Sequence, residues 1–350
     1  MVAQHPGNPD RDGPYPSTLL VASGPLVYVD GWRTQKSLRD MIFAERRVAV
    51  PRPPAGVTAR VVVDSSRNCS PTTRIVCDDC GMASVITGEQ VDGGVYIDVG
   101  GRRVWHYRGG EPAGPPTVLV HGVFGLASTW GAQIADLSRA GLSLFVPERS
   151  GHGHSPDHPG PFTCEDMYAE TVAYLEQEVG ARANLVGWSD GGVIALLIAK
   201  RRPDLVNRMV VVSTYVNRSG ECADNDFFTP IRARKPAAMK FLEDGYSRVS
   251  PDGPEHFATV FVKTLEMLDR EPDYDLAEFA DVAAPTLVVV PDRGIARIEH
   301  AIELTETLPH GRLAVLPGTH ILPVESPELF NPLVIAFLAA DPSSHWLPDQ

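Results

Sequence analysis

The stretch "NLVGWSDGGVIALL", Asn184 to Leu197, sets a serine between two glycines as Gly187-Trp188-Ser189-Asp190-Gly191. Attack on a carbonyl carbon needs a hydroxyl, a general base within hydrogen-bond reach, and fixed donors for the oxygen that becomes charged. Ser189 can supply the hydroxyl. Gly-x-Ser-x-Gly alone is a weak signal. Here an apolar strand-like run precedes it, an apolar helix-like run follows, and the glycines leave room for a sharp turn. That register puts Ser189, not Asp190, at the apex. It also sets Ser189 at a helix N-terminus, where free N–H groups favour developing negative charge.

The base must come from one of eleven histidines. In "LAVLPGTHILPVESPEL" His320 stands in the loop after the last strand-like run, the place that a Ser…His chain order requires. His121, His152 and His154 precede the serine and suit loop-shaping roles. For the charged oxygen, one donor is the backbone N–H of Asp190. The other is the N–H of Val123 or of Phe124 in "HGVFG", a loop whose shape His121 and Gly122 would hold.

The elements that must carry these residues are legible from residue 94 onward. "VYIDVGGRRVWHY" reads as a hairpin about Gly100-Gly101. "TVLVHG", "LSLFVP", "ANLVGW", "MVVVS", "TLVVV" and "LAVLP" read as short strands, several with the continuous β-branched runs of a sheet covered on both faces. Between them, helical spacing covers Ser128 to Arg139, Glu165 to Val179 and Gly191 to Arg202, and a terminal helix is expected to start at Asn331-Pro332. The alternation predicts an α/β fold with a doubly wound, mostly parallel sheet. About 70 residues, Thr214 to Pro285, separate the sixth and seventh strands. They are expected to form a helical lid (about 215–284) over the ligand-binding edge of the sheet.

Residues 1–93 carry scattered Pro, Gly, Arg and Ser without lasting period and are expected to be an irregular N-terminal extension; 342–350 are a C-terminal tail. Cys69, Cys77 and Cys80 include one C-x-x-C, but a zinc site needs a fourth ligand and usually a second pair. They read as thiols in a loose segment. Met82, just before the ordered pattern, is a second candidate start of translation.

Among 350 residues the net charge is -13. Such a surface repels phosphate backbones and anionic lipid, which argues against nucleic-acid and membrane partners. There is no basic-then-apolar leader, and five sparse cysteines fit a reducing compartment, so the expected location is cytoplasmic. The expected partner is a small-molecule substrate. No metal and no organic cofactor is implied.

The motifs "HGVFG", "PERSGHGHS", "GWSDGG" and "PGTHILPVESPELFNPLVIAFL" together resemble the α/β-hydrolase superfamily over about residues 94–340. "GWSDGG" looks most like the elbow of its biphenyl-hydrolase-like, or valacyclovir hydrolase-like, branch. That resemblance implies a serine hydrolase working through an acyl-serine intermediate, with Ser189 as nucleophile and His320 as base. It also implies a second role for Asp190, in binding a substrate amine. The loop usually written Asp-x-Arg-Gly-x-Gly-x-Ser departs here, with Glu148 for the Asp and Ser150 for the Arg.

The acid that orients the histidine departs as well. Relatives place it two residues after a first Asp, in a Gly-Asp-x-Asp pattern; this sequence reads Pro291-Asp292-Arg293-Gly294. Three readings follow. Asp292 reaches His320; or Glu221 or Asp224, after the preceding strand, takes the role; or serine and histidine act alone. Asp292 is the first choice. The expected substrates are small carboxylic esters or related acyl compounds. C–C bond or lactone hydrolysis, or a binding protein on the same scaffold, are the rival readings.

Overall fold

The computed structural model describes residues 90–223 and 225–340, with four short strands nearer the N-terminus. Thr18–Leu20 pairs antiparallel with Val27–Val29, and Ala59–Val63 with Thr73–Cys77. Residues 1–81 and 82–350 form separate compact units. Cys69, Cys80, Met82 and the tail after residue 340 lie outside the described residues.

The second unit is built on eight strands: β1 (Val95–Val99), β2 (Arg102–Gly110), β3 (Pro116–Val120), β4 (Ser143–Glu148), β5 (Ala183–Trp188), β6 (Val206–Val212), β7 (Thr286–Arg293) and β8 (Gly311–Thr319). Their order across the sheet is β8-β7-β6-β5-β3-β4-β2-β1. The β1–β2 hairpin turns at Gly100 and Gly101, both at positive φ (59° and 82°), as a tight primed turn demands. β2 runs antiparallel to both β1 and β4; every other pairing in this sheet is parallel.

Successive residues of the central strands feed opposite cores. Val118, Val120, Leu185 and Val211 pack on one face with Val193 to Ala199 of α3 (Asp190–Arg201) and with Met167 of α2 (Cys164–Tyr174). Leu119, Val186, Val210 and Val212 pack on the other, with Leu137 of α1 (Gly131–Arg139) and Phe330 and Val334 of the terminal helix. This is why those strands carry no polar alternation. α2 is shorter than its apolar spacing: after Tyr174 the chain widens to a π turn, Leu175–Val179, closed by Gly180 at φ 64°.

The chain leaves β3 for β4 in one direction and β5 for β6 in the other. The ends of β3 and β5 therefore flank a topological switch point, where open α/β sheets bind ligands. Between β6 and β7 lie α4 (Phe228–Arg232), α5 (Pro236–Ser247) and α6 (Phe257–Leu268). α7 (Ile298–Thr307) joins β7 to β8, and a single turn, α8 (Leu322–Glu325), follows β8. The terminal helix, α9, spans Pro327–Ala339, so the expected start at Asn331-Pro332 is corrected. Pro327 occupies its first turn, where a missing N–H costs nothing. Pro332 sits inside, and the helix tolerates it while burying Phe330, Asn331 and Val334. Asn331 explains part of that tolerance, since its side chain bonds Ala132 O, Asp136 Oδ2 and Gln133 Nε2.

The start of α3 touches the end of β3. A Cβ at Gly191 would collide with the Val120 carbonyl and lie 2.6 Å from the His121 oxygen, both backbone atoms that cannot swing aside. Gly191→Ala is therefore expected to destabilise the protein by at least ~3 kcal/mol. Thermal unfolding checks this, with a fall in Tm on the order of 10 °C.

Candidate active site

Ser189 joins β5 to α3 at φ 60°, ψ -125°, a conformation that costs a non-glycine residue about 1–3 kcal/mol. The surroundings impose it. Ser189 N donates to Val212 O (2.9 Å), and Ser189 O accepts from Gly192 N (2.9 Å) and from the Thr214 hydroxyl (3.0 Å). Opposite lies Gly122, where a Cβ would sit 3.0 Å from Ser189 Cβ. The serine side chain is thereby pressed into a cavity lined by Phe124, Trp188, Phe227, Tyr246, Phe257 and His320, among others.

His320 directly follows β8. Its carbonyl accepts from Trp188 Nε1 (2.9 Å) and Ser213 Oγ (3.3 Å), which ties the loop to the elbow strand and to the end of β6. Its imidazole stands among three aromatic rings, Phe227 at 4.5 Å and Trp188 and Phe228 each at 6.1 Å between centroids. Ser189 and His320 line the same cavity without a hydrogen bond between them. Catalytic hydrogen bonds in unliganded sites often tighten only with substrate in place. Nδ1 of His320 is buried and has no partner. Burial alone lowers the imidazole pKa to about 3, so the ring is neutral.

The structure does not bring Asp292 to the imidazole. Asp292 is exposed, and its carboxylate accepts from Gly318 N (2.9 Å), bracing the end of β8. At Gly294 a Cβ would lie 2.5 Å from Pro291 Cγ, so the proline ring occupies the space that an acid there would use. Glu221 pairs with Arg218 (3.1 Å), and Asp224 lies outside the described residues. Among the described residues no carboxylate contacts His320.

Of the two candidate donors in the loop after β3, Val123 is already engaged. Its N–H donates to Asp190 Oδ1 at 2.6 Å. The next residue, Phe124, has φ 58° and lines the cavity. Among the described residues no hydrogen bond engages its N–H or the N–H of Asp190 at the start of α3. His121 shapes the loop as expected from its position: Nδ1–H donates to Gly122 O (2.8 Å), and Nε2 accepts from Arg149 N (3.1 Å).

The residue that sequence reasoning missed is Arg149. Its guanidinium is buried and donates to Asp190 Oδ2 (2.7 Å) and His121 O (2.6 Å). The missing arginine at position 150 was the available signal, since an arginine stands one residue earlier. Ser150 instead caps Glu170, through its N–H (2.9 Å) and its hydroxyl. Glu148, fully buried, accepts from Ala127 N (2.8 Å) and from His154 N (2.5 Å) and Nδ1 (2.9 Å). It knits together the loops around the site. Among the described residues no group of three or more His, Cys, Asp or Glu side chains could hold a metal ion, and no helix is long and apolar enough to cross a membrane.

The Alpha/beta hydrolase family matches residues 117–333, from β3 to the terminal helix. The chain belongs to the α/β-hydrolase family. Among curated relatives, a protein provisionally assigned as the carbamate hydrolase RutD of Rhizobium rhizogenes is 27% identical over 255 residues, covering 66% of this chain and 95% of the relative. The pyrrolizixenacetamide deacetylase of Xenorhabdus hominickii is also 27% identical, covering 65% and 92%. The enol-lactonase of Burkholderia xenovorans LB400 shares the family fold, with TM-score 0.58 at 22% identity over 70% of this chain and all of that one.

The α/β-hydrolase site buries three neutral histidines. The His152 pKa is lowered to about 4, first by burial and then by Arg149, and burial holds His121 well below its usual range. Their folded values lie below the unfolded value of 6.5. The stability they permit is therefore full above pH 6.5 and is lost as pH falls toward the folded values, because only the unfolded chain takes the protons. Urea denaturation should show stability falling between pH 6.5 and 5. Each of these histidines contributes up to about 1.4 kcal/mol per pH unit, and His152→Gln should remove one proton from that slope.

Proposed function

We propose that this α/β-hydrolase is a serine hydrolase of small, uncharged carboxylic esters, acting through an acyl-serine intermediate. The observation that carries this is the strained elbow, which holds the Ser189 hydroxyl in the cavity that His320 also lines. Ser189 attacks the ester carbonyl as His320 takes its proton. The tetrahedral oxyanion lies between the N–H groups of Phe124 and Asp190. His320 then gives its proton to the departing alkoxide. Water, deprotonated by the same imidazole, attacks the acyl-serine; the C–Oγ bond breaks, His320 returns the proton to Ser189 Oγ, and the carboxylic acid leaves and ionises in solvent.

The lining supports a neutral, largely apolar acyl group. Its side chains come from the loop after β3, from the elbow, and from Phe227, Phe241, Leu242, Tyr246, Phe257 and Val260 between β6 and β7. Among the described residues no Asp, Glu, Lys or Arg side chain contributes to it. In this reading residues 215–284 act as the lid that shapes the acyl pocket. Lactones, being cyclic esters, belong to the same class. The deacetylase and carbamate hydrolase relatives, by their names, fit cleavage at an acyl carbon.

Serine and histidine act here without a carboxylate on the imidazole. Three rings hold its plane, and Nδ1–H is left without an acceptor. Asp292 then serves the loop of Gly318. Asp292→Asn should leave kcat/KM for p-nitrophenyl butyrate within threefold of the parent, since the amide oxygen can still accept from Gly318 N. A loss of several powers of ten would make Asp292 the acid after all. A fluorophosphonate probe should label the protein, and Ser189→Ala should abolish both labelling and ester turnover. An unlabelled protein that binds aryl esters intact would instead be a receptor on the same scaffold.

A further inference from the structure

Asp190 follows the nucleophile, and its resemblance to one branch of the family implies a receptor for a substrate amine. Its side chain does something else. Oδ1 accepts from Val123 N (2.6 Å) and Oδ2 from Arg149 Nη1 (2.7 Å), with side-chain exposures of 5% for Asp190 and 3% for Arg149. Arg149 then continues the chain of contacts. Its Nη2 donates to His121 O (2.6 Å), its backbone N to His121 Nε2 (3.1 Å), and His121 Nδ1–H to Gly122 O (2.8 Å). His121 and Val123 are thus each fastened to one buried ion pair, and Gly122 is held through the His121 ring.

The next residue is Phe124, at φ 58°. An L-residue resists the left-handed region by about 1–2 kcal/mol. Left alone, the loop would relax toward negative φ, and the Phe124 N–H would swing away from the reacting carbonyl. The cavity is lined by Gly122, Val123, Phe124 and Ser189, but not by Asp190 or Arg149. The carboxylate lies behind the loop, where a ligand's ammonium group cannot meet it.

We propose that Asp190 is a positioning residue: paired with Arg149, its carboxylate locks the Val123 N–H so that Phe124 presents its amide to the oxyanion, and the pocket consequently selects neutral over amine-bearing acyl groups. This rests on the reading of Ser189 as nucleophile. It assigns Asp190 two distinct functions, its amide touching the oxyanion and its side chain setting the geometry of the opposing amide.

Removing one charge alone would strand the other in the interior, so both are replaced together. In Asp190→Ala/Arg149→Met, kcat for p-nitrophenyl butyrate should fall on the order of 100-fold, the cost of one lost oxyanion donor, with KM within threefold. The inhibition constant of an aryl trifluoromethyl ketone, which forms a tetrahedral adduct, should rise by the same factor. Asp190→Asn/Arg149→Met restores an acceptor for Val123 N–H and should recover at least tenfold in both. If kcat and the inhibition constant stay within threefold in the alanine variant, or if the asparagine variant recovers nothing, the proposal is overturned. A KM rise confined to the 4-aminobutyrate ester would return Asp190 to substrate binding and overturn it too.

The unmodified protein gives a test independent of variant folding. It should prefer p-nitrophenyl butyrate over p-nitrophenyl 4-aminobutyrate by at least tenfold in kcat/KM, and a preference for the ammonium ester refutes the assignment. A parent protein that the fluorophosphonate does not label sinks the serine-hydrolase reading itself. A labelled parent matched by its alanine variant sinks only the positioning role.

Discussion

The site depends on a steric coincidence of backbones: the first turn of α3 is driven against the carbonyl ends of β3. Gly191 and Gly122 permit that approach because neither presents a Cβ, and Ser189 absorbs the resulting turn at φ 60°. The conformational cost is local, while its support is global. α3 is buried along nearly its whole length between the sheet and α2. The serine backbone is held by the Val212 carbonyl of β6, which accepts from its N–H, and by the Thr214 hydroxyl, which donates to its carbonyl. A large, closely packed core holds one residue where its own preferences would not place it.

The same crossing explains why the loop after β3 and the start of α3 share hydrogen bonds. In the proposed site each contributes one amide, that of Phe124 and that of Asp190, to the oxyanion. In the proposed reading, the ion pair of Arg149 and Asp190, joined by the neutral ring of His121, keeps them there. A buried ion pair is a poor source of net stability, because desolvation offsets its attraction. Its value here is geometric: it gives direction to backbone groups that a purely apolar packing would leave free to reorient.

The fold was legible because the strands of a doubly covered sheet carry uninterrupted β-branched runs, and because Gly100-Gly101, Gly187 and Gly191 punctuate them. The places of Ser189, at the end of β5, and of His320, after β8, were legible from position relative to those strands, and both line one cavity. Two things were not. The boundaries of α2 and α9 were set by tertiary packing over propensity, as the π turn after Tyr174 and the embedded Pro332 show. The polar wiring was hidden as well, since which N–H a carboxylate accepts from is a matter of ångströms in space. Val123 and Phe124 are adjacent in sequence and equivalent on paper; only the reach of Asp190 distinguishes them. Arg149 escaped notice because a one-residue shift lets a different backbone position deliver the same guanidinium.

The rings beside His320 carry a final consequence. Phe227 and Phe228 belong to the segment between β6 and β7, the same segment whose side chains wall the cavity. Where a carboxylate rooted in the central sheet would hold an imidazole regardless of what the cavity wall does, aromatic flanks borrowed from that wall cannot. In the proposed mechanism, an excursion of the wall that widened the entrance would also loosen the proton acceptor, so that bulk water entering an open cavity would meet a disarmed serine.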